Sequence, residues 1–69
     1  MDVQTKIKMV RANLNISEAE LARRLGTTSQ ALGQRMKTGK FTTSDLENIA
    51  AALGVKYVHY FELPDGSQV

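Results

Sequence analysis

The stretch Ser17–Lys40, SEAELARRLGTTSQALGQRMKTGK, constrains the fold of this chain more than any other. Ser17 is placed to cap a helix, and Glu20, three residues on, can reach back to close a capping box. Ile16 before the cap and Leu21 at the fourth helical position are spaced as a hydrophobic staple. Leu21, Ala22 and Leu25 make one apolar stripe, and Gly26 stands where a left-handed residue would end the helix. A second helix restarts within two or three residues, capped by Thr27 or Thr28. Two short helices joined by so tight a turn have the sequence form of a helix-turn-helix.

The chain has 69 residues and no cysteine. One domain spanning 1–69 is expected, with compact helix packing rather than disulfides holding it together. Without cysteine there is no thiolate metal site and no thiol catalysis. No apolar run approaches the roughly 20 residues needed to span a bilayer, and no signal peptide opens the chain. A cytosolic protein is the expectation. The net charge of +2 is unevenly placed. Residues 1–40 hold eight Lys/Arg against three acids, net +5, whereas residues 41–69 hold Lys56 against four acids, net −3. Such asymmetry favours a polyanion facing the first half.

In chain order, about 2–13 reads as the first helix. Asp2 is its cap, and Val3, Ile7, Val10 and Leu14 form one stripe of a 3.6-residue period. The Asn13-Leu14-Asn15 segment ends it. The second helix covers about 18–25 and the third about 29–37. After Gly39, Thr42 with Asp45 and Phe41 with Leu46 repeat the capping-box and staple pattern. They open a fourth helix over about 43–53, whose core face is Leu46, Ile49, Ala50 and Leu53 and whose end is Gly54.

From Val55 the period becomes 2. Val55, Tyr57, His59, Phe61 and Leu63 point one way, and Lys56, Val58, Tyr60 and Glu62 the other. With the Pro64-Asp65-Gly66 turn, this predicts a short strand or hairpin over about 56–69. A two-stranded hairpin is marginal by itself, so it must pack on the helices or pair with another chain. Its large apolar groups on both faces point to a subunit interface through Tyr57, Val58, Tyr60 and Phe61, with docking on its own domain as the alternative.

The third helix carries the chemistry. Leu32 and Met36 face inward, helped by Ala31, which leaves Ser29, Gln30, Gly33, Gln34 and Lys37 outside. Gln pairs bidentately with the N6/N7 edge of adenine in the major groove, and Ser donates to or accepts from several bases. The positive N-terminal end suits a phosphate beside Thr27 or Thr28. Gly33 costs an exposed helix roughly 1 kcal/mol relative to Ala, which close approach of DNA or of another helix would justify.

Residues from about Ile7 to Val55, through S-E-A-E-L-A-R-R-L-G-T-T-S-Q-A-L, the T-G-K-F-T turn and L-E-N-I-A-A-A-L-G-V, resemble the lambda-repressor-like helix-turn-helix family of phage repressors and Cro proteins. The resemblance implies a mainly α, four-helix domain that binds operator DNA as a homodimer, with the second helix of the motif in the major groove. It implies base contacts from Ser29, Gln30 and Gln34. It also implies phosphate contacts near Ser17, Thr28 and Lys40, with Thr27, Arg35 and Lys37 beside them. Three departures stand out. Glu18 replaces a phosphate-touching Gln, Arg35 and Met36 replace an apolar residue and a Glu, and the stretch before Gly39 is one residue longer than usual. Arg35 is therefore expected either to meet a phosphate or to bury its stem. The carboxyl-terminal strand in place of a further helix is similar to the Cro type of dimer.

Double-stranded DNA and a second copy are the partners expected; no cofactor, metal, small-molecule ligand or membrane is. An enzyme is not expected, because His59 is the only histidine and no carboxylates cluster around it. The alternative function is a protein-interaction module that uses the helix pair as scaffold and the aromatic carboxyl-terminal strand as interface.

Overall fold

The computed structural model describes residues 2–69 and is mainly helical: α1 (Val3–Leu14), α2 (Glu18–Arg24), α3 (Ser29–Thr38) and α4 (Thr43–Leu53), with no sheet among the described residues. Each helix opens on a side chain that accepts from an orphan backbone amide. Asp2 takes Thr5 N–H, Ser17 takes Glu20 N–H, Thr28 takes Ala31 N–H and Thr42 takes Asp45 N–H. Only the last is a full capping box, in which the Asp45 carboxylate accepts in return from Thr42 N–H at 2.8 Å. Glu20 does not close the box expected with Ser17, because its carboxylate is held instead by Arg23 and Arg24.

The turn between α2 and α3 is set by Gly26 at φ 74. Its N–H donates to the Arg23 carbonyl, and Thr27 N–H donates to the Ala22 carbonyl, the paired bonds of a Schellman ending. A left-handed backbone here is what lets α3 start again at Ser29, and glycine adopts it without a Cβ penalty. Asn15, at φ 56, plays the same part at the end of α1, with Ile16 N–H bonded to the Arg11 carbonyl.

The core is one cluster: Ile7 from α1, Leu21 and Ala22 from α2, Leu32 and Met36 from α3, Ile49 and Leu53 from α4. Leu21 is 0 % exposed and lies at its centre. The staple residues Ile16, Phe41 and Leu46 all pack against this cluster, of which Leu21 is a member. Two expectations for the core fail. Leu14 is 38 % exposed, because α1 ends there and the chain turns away; Ala31 is exposed as well.

Three longer ties hold the helices in place. Arg24 Nη1 donates to the Ala52 carbonyl at 3.0 Å, joining α2 to α4. Arg35 Nη2 meets Asp45 Oδ2 at 2.6 Å, and its guanidinium lies 5.3 Å from the centre of the Phe41 ring, joining α3 to α4. Gly39, at φ 67, ends α3 in the left-handed region, and the amide end of the Gln4 side chain of α1 lies against it.

Of the short strand or hairpin expected over about 56–69, only the far end is paired. Residues 55–60 carry no regular element, and the tail closes on a single antiparallel bridge, Glu62 with Gln68. Phe61 and Val69 exchange both backbone hydrogen bonds around it, and Gly66, at φ 88, follows the turn in which its N–H donates to the Leu63 carbonyl. With large side chains on both faces and no sheet to join, a lone two-stranded ladder gains too little to extend further. Alternation persists all the same, because the Tyr57 and His59 rings share a face and stack at 5.3 Å.

Candidate nucleic-acid interface

The outward side of α3 is built by what its inward side requires. Leu32 and Met36, four apart, are buried at 3 % and 8 % exposure, which turns Ser29, Gln30 and Gln34 to solvent. All three are exposed, and among the described residues none of their side chains makes a hydrogen bond. Lys37 is exposed in the last turn, and Lys40 in the loop that follows.

Gly33 lies between these residues, and no helix packs closely on it. A Cβ at this position would meet only Glu18 Oε2, at 3.9 Å, an ordinary contact. Gly33 is half-buried, and the edge of α3 that it leaves bare faces the first turn of α2. The same contact places the first turn of α2 beside the middle of α3. The carboxylate of Glu18 thus stands beside the middle of α3.

Ser17 and Thr28 each use an oxygen lone pair on a cap bond, at 3.0 Å and 3.1 Å, which leaves their hydroxyl protons to donate outward. Thr27 is exposed, with its backbone N–H spent on the turn. Of the residues predicted for phosphate contact, Arg35 stands apart, because its ion pair and its ring contact direct it to Asp45 and Phe41. The sequence held a signal for this arrangement in Asp45, the third residue of α4, but not for the ten-residue reach to Arg35.

The positive half of the chain is less free than its charge count implies. Arg23 Nε and Nη2 bind Glu20 at 2.9 and 2.5 Å, and Arg24 Nε binds the same carboxylate at 2.9 Å. These hydrogen bonds, from Arg23 first and then Arg24, pull the Glu20 carboxyl from 4.5 down to about 2. A depressed carboxylate stabilises the fold fully above its unfolded value and loses that contribution as pH falls toward the folded one. Glu20→Gln is therefore expected to flatten the fall in melting temperature between pH 5 and pH 2. Thermal melts of both proteins across that window check it, and parallel curves would remove Glu20 from the account.

In the cleft of about 560 Å³ between the end of α2, α3 and α4, Arg24 and Arg35 on the walls are committed to Ala52 and Asp45. Among the described residues no group of acids or histidines is placed to hold a metal, and no helix is long and apolar enough to cross a membrane. The predicted interface residues of the tail are all exposed: Tyr57 at 37 %, Val58 at 65 %, Tyr60 at 53 % and Phe61 at 78 %. No family model matches the chain, and no solved structure gives a significant match.

Proposed function

We propose that this chain is a lambda-repressor-like helix-turn-helix protein, a sequence-specific regulator that binds double-stranded DNA as a homodimer and represses by occupying its operator. One observation carries the reading: the outward side of α3 offers Ser29, Gln30 and Gln34 exposed and uncommitted. Set in the major groove, the two glutamines read adenine edges and Ser29 adds a further base contact. Ser17, Thr27, Thr28, Lys37 and Lys40 hold the flanking phosphates, and the α3 amino end adds its dipole. Arg35 keeps α3 on α4 and so positions the reading face, reaching a phosphate only by leaving Asp45. Glu18, beside Gly33, restricts how closely a phosphate can approach that edge. Across the dimer axis the two α3 helices stand about 34 Å apart, one turn of DNA.

Binding to random duplex DNA against salt tests the electrostatic part, with log K expected to fall linearly as log salt rises. Lys40→Ala should weaken all sequences alike and reduce the slope by about one per protomer. Selection from a random duplex library should return a palindrome. The exposed apolar tail supports a second reading, a protein-interaction module built on the same helices. Absence of DNA binding at low salt, together with a stable hetero-complex, would decide for it.

A further inference from the structure

The cleft of about 560 Å³ between the end of α2, α3 and α4 has the size of a small-molecule site, and its lining divides by chemistry. Leu32 and Ile49 belong to the core cluster, and Leu25 and Phe41 pack against it, so part of the wall is apolar. Arg24, Thr27, Arg35 and Asn48 supply polar groups from α2, the turn after it, α3 and α4. Neither arginine is exhausted by its internal contacts. Arg24 gives Nε to Glu20 and Nη1 to the Ala52 carbonyl, and Arg35 gives Nη2 to Asp45. A guanidinium carries more N–H donors than these bonds use, and the two side chains are 38 % and 51 % exposed. Within the lining, two guanidiniums face one carboxylate, that of Asp45. Its Oδ2 also accepts from Thr42 N–H, which, ahead of Arg35, holds the carboxyl below its ordinary range. The cleft therefore keeps an excess of positive charge beside an apolar wall.

We propose that this cleft binds a small aromatic carboxylate, with its acid group on the guanidiniums of Arg24 and Arg35 and its flat body against Leu25, Leu32, Phe41 and Ile49. The planar fork of a guanidinium matches a carboxylate, and the bond between the two charges is stronger where an apolar wall displaces water. An aromatic body fits for a second reason. Arg35 already lies 5.3 Å from the centre of the Phe41 ring, and a guanidinium plane offers another ring the same kind of contact. Other occupants match only half of the lining. A backbone phosphate of duplex DNA satisfies an arginine but brings no apolar surface to the wall. A neutral ring covers the wall but leaves the guanidiniums to water. Asn48 and Thr27, both exposed, offer an amide and a hydroxyl to any further polar group on the ligand. Bound there, the anion touches both helices of the α2–α3 pair and α4 while leaving Ser29, Gln30 and Gln34 uncovered, since none of these three lines the cleft. The site does not depend on the DNA reading.

Titration of the full chain with naphthoate, followed in amide nitrogen–proton correlation spectra, tests this without DNA. Saturable shifts are expected at Leu25, Thr27, Arg35, Phe41 and Asn48. The dissociation constant should be about 1 mM, the scale that ligand efficiency allows a molecule of this size. Naphthamide, the neutral isostere, should bind at least ~10-fold more weakly. Arg35→Gln removes one guanidinium and should weaken naphthoate by a similar factor, but it also breaks the tie to Asp45. Ala51→Glu keeps the test decisive if that variant fails to fold. Ala51 lines the cleft and is exposed, so a carboxylate added there leaves the core alone and should weaken naphthoate at least ~5-fold by like-charge repulsion. The site is overturned by the absence of saturable shifts up to about 10 mM, tenfold above the expected constant. Equal affinity for naphthamide, indifference to Ala51→Glu, or shifts confined to the α1–α4 groove or the tail would overturn it equally. None of these readouts involves DNA, so they stand whatever the DNA experiments return.

Discussion

Leu21→Ala is expected to remove about 2–5 kcal/mol of stability, the largest loss of any single truncation in this chain. Leu21 is 0 % exposed within a core cluster that draws residues from all four helices, so the cavity left behind is walled by several elements that cannot all close over it. For 69 residues the total stability is on the order of 3–10 kcal/mol, so the variant should be marginally folded at best. Urea unfolding followed by far-UV circular dichroism measures this directly. Leu14→Ala is the internal contrast: it trims a side chain of the same size that is 38 % exposed, and it should cost well under half as much. Equal losses in the two variants would mean that the core is not centred on Leu21.

The second large effect concerns binding. Gln30→Ala and Gln34→Ala should each cost about 1–3 kcal/mol at one base position of the operator, a loss of roughly 5- to 150-fold, while melting temperature stays within a degree or two. The separation between binding and stability follows from the structure, because neither side chain supports the fold. Gly33→Ala strengthens the comparison. It should stabilise α3 by roughly 0.5–1 kcal/mol, since glycine is the poorer helix former and the new methyl meets only Glu18. The same methyl should weaken DNA binding if a groove wall comes close there. Quantitative binding to a selected site and to its single-base variants measures all three. An unchanged base preference in both glutamine variants would falsify direct readout by α3.

The parts of this fold that were legible in the sequence are those decided within about four residues. An N-cap, its returning amide and the staple beside it are chemical neighbours, so Asp2, Ser17 and Thr42 marked their helices correctly. The buried face of α3 follows from the spacing of Leu32 and Met36, and the residues opposite them follow from geometry. Glu20 shows where local reading loses force: the amide of Ser17 and two guanidiniums compete for one carboxylate, and charge wins over the neutral donor.

The sequence by itself determined four helices, their caps and the polar row on α3, because each rests on short-range hydrogen bonding and on a single period of burial. Tertiary structure decided the rest. It turned Arg35 toward Asp45 ten residues away, sent Arg24 to Ala52 twenty-eight residues away, and left the tail without a strand. An alternating pattern states which side chains can share a face, but a strand forms only where another segment supplies hydrogen bonds, and here only Phe61 and Leu63 find partners, in Val69 and Ser67.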